Sequence, residues 1–321
     1  QQYPVEKVAA ITWIPKDKIV AAARLYSTSR PACVHAREGV AAVQTNAFQA
    51  SRAIIILAAI CGNLDVLGGN FLPTGYGGFD VRVSEFPLEP EVRNKRFGAA
   101  EYPLLHENKT PDFPSAVRAM LKGDVRGMYA VGSNFVINQG DIRKNIEALK
   151  KVDFSVAVDL FMNPTTALAD MVLPAAHFLE TETPVADYQP PYNRVLASRR
   201  ITEPAGECRD DRKIVIELAK RMGVALPWET IEEFNDWRCK PLGLTFDELK
   251  NREGQMISFP VRYRRYEKRG FNSPSGKVEL YASLLAKHGY DPLPGYTEHP
   301  ESPHGSPQLF KEYPLIHTCH R

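Results

Sequence analysis

The chain has 321 residues, of which 44% are hydrophobic, 24% charged and 10% aromatic, the usage of a folded globular protein rather than a disordered one. That length exceeds what one hydrophobic core usually fills, so two packed units plus an extension are expected. A formal charge of +2, with basic residues scattered except over 262–269, offers no polyanion-binding surface and argues against nucleic acid as a partner.

Residues 17–26 place Ile19, Val20, Ala23 and Tyr26 on one helical face, and Pro31 then introduces a short β-like run over 32–36. After Glu38 and Gly39, the apolar stretch 47–60 has the length of a buried helix, with Gly62-Asn63 as its carboxy-terminal cap. Helix, strand, helix is the order expected for the last piece of an α/β unit. The longest apolar run, 53–60, is too short to span a bilayer, and the first residues lack the pattern of a signal peptide; the chain is expected to begin mid-fold.

Residues 68–114 are rich in Gly, Pro and aromatics without a sustained period, which predicts a long irregular strap that covers a site or runs between domains. The clearest stretch follows: a strand over 125–131, the turn Gly132-Ser133-Asn134, a helix over 141–151 with Ile142, Ile146 and Leu149 aligned, and a strand over 154–158 ending in Asp159. A short strand over 171–173 and a helix over 212–222 continue this as a mostly parallel sheet with helices on its faces. Beyond it, short helices over 231–237 and 246–251 accompany an extended basic and aromatic run, and 313–316 has the pattern of an opening strand.

The fold class predicted is α/β: two α/β units of dinucleotide-binding type with mostly parallel sheets, and a partly helical, irregular extension. The expected boundaries are 1–67 for the end of the first unit, 68–223 for the second, 224–310 for the extension and 311–321 for the start of a further domain.

In open parallel sheets the ligand lies beyond the carboxyl ends of the strands, where loops and helix amino termini present unpaired N–H groups to phosphate or sugar oxygens. Gly132, Ser133, Asn134 and Asn138 occupy such an end, and these residue types suit either phosphate and sugar contacts or a plain turn capped by Asn. Asp159 suits a ribose diol or guanine edge, while spacing alone slightly favours a helix or turn cap.

No Walker A sequence, no GxGxxG after a strand and no GxSxG elbow occurs. Cys33, Cys61, Cys208, Cys239 and Cys319 lie far apart with no CxxC or CxxxC pair, so no local zinc or iron–sulfur motif can be built and buried thiols are expected. His317, Cys319 and His320 would alternate sides of an extended segment, which disfavours a closed tetrahedral site. His177 fits a half-buried structural histidine, and Glu180 and Glu182 fit turn caps or solvent-facing groups better than an acid pair.

Five segments in order carry a resemblance: QASRAIIILAAICGNLDVLGGN, MYAVGSNFVINQGD, VAVDLFMNPTTALADMVLPAAHFLETE, NSPSGKVELYASLLAKHGYDPLP and YPLIHTCHR. Together they resemble the molybdopterin oxidoreductases of the dimethyl sulfoxide reductase family over nearly the whole chain. The resemblance implies a molybdenum or tungsten bis(molybdopterin guanine dinucleotide) cofactor, and two-electron, oxygen-atom or sulfur-atom transfer on a small substrate such as dimethyl sulfoxide, thiosulfate or polysulfide. It places Gly132, Ser133, Asn134 and Asn138 at one dinucleotide with Asp159 close by, and Asp211 against guanine, although spacing alone makes Asp211 a helix cap. Arg321 would contact a pterin, and Gly39 and Gln44 would approach the other dinucleotide.

A 4Fe–4S cluster and the metal-ligating residue are expected in sequence preceding this chain, and most of the last domain in sequence following it. No residue of this chain is therefore expected to be catalytic or to ligate the metal, and the chain alone is expected to be inactive, with an apolar face open to self-association. An iron–sulfur electron-transfer subunit, and in some members a membrane anchor, are the partners implied; compartment is left open. One departure from the family pattern is Phe135, where proline is common. The alternatives are a non-redox tungsten hydratase of the same family and a scaffold domain that keeps the fold without the pterin.

Overall fold

A computed structural model describes residues 2–36, 38–41, 45–72, 89–105, 111–187 and 194–316. The chain forms two compact units, one from residues 1–73 with 262–321 and the other from residues 74–261.

The first unit opens with helices Val5–Thr12 (α1), Lys16–Thr28 (α2), Glu38–Ala41 (α3) and Ala47–Ile60 (α4). α4 has the predicted bounds, and it stops because Gly62 takes φ 70, letting the N–H groups of Gly62 and Asn63 bond the carbonyls of Ala59 and Ala58. The strand expected over 32–36 is absent. Its backbone is satisfied by side-chain amides instead: Ala32 N–H donates to Asn63 Oδ1 (3.1 Å), Val34 N–H donates to Asn70 Oδ1 (3.0 Å), and Asn70 Nδ2 donates back to the Val34 carbonyl (2.8 Å). Two asparagines thus stand where a neighbouring strand's peptide groups would be.

The second unit contains Pro90–Asn94 (α5) and Phe113–Lys122 (α6). The irregular strap is therefore interrupted by helix and ends sooner than its composition suggested, because Asp112 caps α6 by accepting the Ser115 N–H at 2.9 Å, with Pro114 in the first turn. Its stretches 73–88 and 106–110 lie outside the described residues.

Strands Gly127–Val131 (β1), Phe154–Asp159 (β2) and Met171–Pro174 (β3) form a parallel sheet in that order. The crossover from β1 to β2 carries Phe135–Asn138 (α7) and Ile142–Lys151 (α8). α8 is amphipathic: Asn145, Ala148 and Leu149 turn inward, Asp141 caps its start, and Lys150 and Lys151 face the negative end of its dipole. Val117, Met120, Phe135, Val136, Leu149 and Val152 form the core beneath this half, with Met128 of β1 packed against it.

The strand expected over 171–173 thus joins the sheet in parallel as predicted, and the strands that follow it are antiparallel. Thr183–Asp187 (β4), Arg194–Ser198 (β5) and Met256–Ser258 (β6) form an antiparallel sheet around Val195, Cys239, Phe246 and Leu249. Asp211–Arg221 (α9), Ile231–Cys239 (α10) and Phe246–Asn251 (α11) complete the unit, and α11 opens with a reciprocal capping box between Thr245 and Glu248. Burial pushes the Cys239 thiol up to about 11, which marks it as a core thiol.

The first unit resumes with Tyr266–Arg269 (α12), Ser283–Lys287 (α13) and Pro307–Glu312 (α14). Asp65 is fully buried and joins its two sequence segments: Oδ1 accepts the Leu72 N–H (3.3 Å), Oδ2 accepts the Arg265 N–H (3.1 Å), and the Arg265 guanidinium lies 3.5 Å away. Residues 313–316, expected to open a strand, pair with no strand among the described residues. His317, Cys319 and His320 lie outside those residues, and no described helix is long and apolar enough to cross a membrane.

Candidate functional site

The carboxyl ends of β1, β2 and β3 lie side by side, and the hydrogen bonding runs one step past each strand. Gly132 N–H donates to the Val158 carbonyl (2.9 Å), and Ala175 N–H donates to that of Asp159 (3.1 Å). Beyond β3, Arg209 N–H bonds the Pro174 carbonyl (3.0 Å) and Ala176 N–H bonds the Arg209 carbonyl (2.8 Å), so Arg209 extends the row as a single-residue parallel bridge. The edge therefore reads Gly132, Asp159, Ala175, Arg209, and the chain leaving Arg209 enters α9 at once.

At one end of this row is the turn after β1. Gly132 has φ 54, and open space surrounds the position of an added Cβ, so backbone conformation rather than crowding selects glycine. Asn134 precedes α7, and its Oδ1 accepts from the Thr165 hydroxyl (3.1 Å), which itself accepts the buried Val136 N–H (2.9 Å). Phe135 is buried and packs on Phe113 with ring centroids 4.9 Å apart. An aromatic anchor thus roots the turn where the family pattern commonly has proline. Ser133 is half-buried and Asn138 exposed, its N–H bonded to the Asn134 carbonyl. The fully buried Asn145 closes the loop by donating to the carbonyls of Val136, Gln139 and Gly140 (3.1–3.3 Å).

In the middle, Asp159 is a turn-forming carboxylate. Oδ1 accepts the Leu160 N–H (2.7 Å) and Oδ2 accepts from Asn163 Nδ2 (2.9 Å). The alternative that spacing allowed, a turn cap, is what its side chain does here.

At the far end, α9 begins one residue earlier than predicted, and its cap is Asp210, which accepts the Arg212 N–H at 2.9 Å. Asp211 is released from capping: its Oδ1 is buried without a hydrogen-bond partner among the described residues. Burial, helped by the Asp210 and Asp159 carboxylates and opposed by Arg212, raises its pKa above the usual carboxylate range. The Tyr129 phenol is also raised, by burial first and the Asp211 charge second. An apolar cavity of about 240 Å³ is lined by Asp211 with Val215, Leu226, Trp228 and Phe234. A larger cavity of about 460 Å³, also against α9, has a charged lining that includes two ion pairs, Arg209 with Glu217 and Lys220 with Glu229. Of the two, the smaller is almost wholly apolar and has Asp211, with its unpartnered Oδ1, in its wall.

Gly132, Asn134, Asp159 and Asp211 are thus gathered along one sheet edge in the second unit. Gly39 lies in α3 of the first unit, and Gln44 and Arg321 lie outside the described residues. Glu180 clasps the N–H groups of His177 (2.8 Å) and Ala205 (3.1 Å), while Glu182 pairs with Lys250 (3.1 Å); neither joins an acid pair. Sequence reasoning missed Thr165, Asn145 and Arg212. Asn163-Pro164-Thr165-Thr166 after an aspartate-ended strand was the available signal for the first.

A family model described as molybdopterin oxidoreductase matches residues 38–221. The chain belongs to the molybdopterin oxidoreductase family. It is 33% identical over 350 residues to acetylene hydratase of Syntrophotalea acetylenica, covering 98% of this chain and 47% of that protein. It is also 33% identical over 254 residues to dopamine dehydroxylase of Eggerthella lenta, covering 74% of this chain and 24% of that one. With dimethyl sulfoxide reductase DmsA of Escherichia coli it shares 26% identity over 357 residues, 97% of this chain and 42% of the relative. The solved acetylene hydratase from Pelobacter acetylenicus superposes with a TM-score of 0.86 at 30% identity, over 98% of this chain and 47% of that chain. The chain thus spans less than half the length of these relatives, and the match establishes a mixed α/β fold with one parallel and one antiparallel sheet. Proteins of this family bind a molybdenum or tungsten molybdopterin cofactor.

Proposed function

We propose that this chain supplies a nucleotide-holding edge of a bis(molybdopterin guanine dinucleotide) enzyme. The observation that carries the reading is the buried, unpartnered Oδ1 of Asp211 beside an apolar cavity, at the carboxyl end of a parallel sheet. A carboxylate with an unmet acceptor matches the paired N1–H and N2–H donors of guanine, and bonding them would offset the burial that now raises its pKa. Gly132, Ser133, Asn134 and Asn138 would hold the phosphate and sugar portion, with Asp159 shaping the middle of the edge; Gly39, Gln44 and Arg321 are proposed for the remaining cofactor contacts. When bound, the metal–pterin group supplies the reactive centre, and this chain's residues bind and orient it.

Two-electron or oxygen- or sulfur-atom transfer on a small substrate, such as dimethyl sulfoxide, thiosulfate or polysulfide, is the reaction we propose for the whole protein. A 4Fe–4S cluster, an iron–sulfur electron-transfer subunit and, through that partner, a membrane anchor belong to this reading. A second reading, tungsten-dependent hydration without net redox change, is favoured by the similarity to acetylene hydratase over 98% of this chain.

Metal and pterin content of the full-length protein, purified anaerobically from its host, tests the proposal. Molybdenum or tungsten with about two pterins per chain and guanine as the released base is expected; absence of both metal and pterin would overturn it. Tungsten, with hydration of acetylene and no turnover with a redox dye, would select the second reading.

A further inference from the structure

The residue after Asp211 makes an unusual number of directed contacts for a helix's first turn. The Arg212 guanidinium donates from Nε to Asp210 Oδ1 (2.8 Å), from Nη2 to Asp210 Oδ2 and to the Glu182 carbonyl (3.0 Å), and from Nη1 to Asn235 Oδ1 (3.4 Å). These partners are themselves fixed. Asp210 caps α9, and the fully buried Asn235 of α10 donates to the same Glu182 carbonyl (3.1 Å) just ahead of β4. A planar fork engaged on three sides holds its own backbone in one place, as a flexible ammonium could not.

From this geometry we propose that Arg212 is a positioning residue for Asp211, fixing the first turn of α9 and so holding the neighbouring carboxylate in one place as an acceptor for a nucleobase. The inference rests on the reading of Asp211 as the base-binding group. The charges around Asp211 make the need physical: Asp210 at the head of its helix and Asp159 at the end of β2 both repel its anion, its charge in turn disfavours ionisation of the Tyr129 phenol of β1, and Arg212 is the cation that opposes the two carboxylates. With Arg212 and the Arg212 N–H engaging Asp210, the capping carboxylate is occupied and does not take over the role of acceptor.

The test compares the wild-type chain with R212Q and R212K by calorimetric titration of guanosine 5′-monophosphate across pH, and by the ionisation midpoint of Asp211 from carboxylate carbon NMR, assigned with D211N. R212Q is expected to bind about tenfold or more weakly, the scale of losing a charge-assisted contact set, and to show a higher Asp211 midpoint. R212K keeps the charge and loses the fork, so its midpoint stays near wild type while affinity falls; it also remains informative if R212Q does not fold. An unchanged Asp211 midpoint in R212Q, or R212K binding as wild type, overturns the positioning role. Wild-type chain that fails to bind the nucleotide, with the midpoint shift nevertheless present, overturns the reading of the site while leaving the electrostatic pairing intact.

Discussion

Thr165 Oγ1 stands between two backbone turns, donating to Asn134 Oδ1 at 3.1 Å and accepting the Val136 N–H at 2.9 Å across 29 residues of sequence. One hydroxyl therefore fixes the side chain at the head of α7 and satisfies a buried donor within it. Replacing Thr165 with Val keeps the shape and strands that N–H, so T165V should lose about 2–3 kcal/mol of stability in denaturant titration. T165S, which keeps the oxygen, should lose clearly less. Equal losses would mean that the methyl group, not the hydroxyl, fixes the turn.

Phe135 supplies the anchor of the same turn by packing on Phe113. Truncation in F135A should cost about 3–5 kcal/mol, the range for emptying a buried aromatic site. F135L should recover most of it. Faster hydrogen exchange over 132–140 in F135A, with β5 protected as before, would show that the loss is centred on the turn; a uniform increase would contradict this.

Asp65 is the shared side-chain acceptor of the Leu72 and Arg265 backbone amides. D65A would leave the Leu72 and Arg265 N–H groups without their acceptor and the Arg265 guanidinium without its carboxylate, a loss of about 3–5 kcal/mol. Amide exchange should accelerate at Leu72 and Arg265 while β1 and β2, in the other compact unit, keep their protection. Intact protection at Leu72 would remove Asp65 from this role.

Asp211 carries a stability cost of opposite sign to an ordinary salt-bridged aspartate. Its folded pKa is raised, chiefly by burial, above the unfolded value near 3.8. The protonated form is therefore favoured by folding, and its contribution is full below pH 3.8 and lost as pH rises through the folded pKa. At neutral pH the chain holds an unfavourable charge, so D211N should raise the thermal midpoint at pH 7, have little effect at pH 3, and abolish guanosine monophosphate binding. A lower midpoint at pH 7 would show that Asp211 stabilises the fold, contrary to its unpartnered Oδ1. Stability surrendered to keep a charged acceptor ready is common at binding sites.

Sequence legibility followed locality. α4 and α11 were read with their observed bounds, since periodicity and the residues at their ends suffice to define a helix, and β1, α8 and β2 were read within a residue or two for the same reason. The antiparallel sheet was not legible, because β4 and β5 are short, partly polar strands whose partner β6 lies some 60 residues beyond. The run at 32–36 misled because two asparagine side chains mimic a strand's hydrogen bonding. At the candidate site, adjacent aspartates defeated spacing: a one-dimensional pattern does not tell which of Asp210 and Asp211 caps α9, whereas the Arg209 bridge to β3 decides it in three dimensions. Thr165 and Arg212 were missed for the same reason, since their partners are brought together only by the fold.

The Asp65–Arg265 clasp spans 200 residues of sequence. During synthesis, residues 1–73 must leave the ribosome and wait while the whole of 74–261 is made before the Arg265 amide exists to meet the waiting carboxylate. The intervening unit has its own contacts and can form first, whereas the opening helices spend that interval with apolar faces incomplete. At roughly 5–20 residues per second this leaves an exposure of about 10–40 seconds on every molecule made, the interval in which a chaperone would find its client.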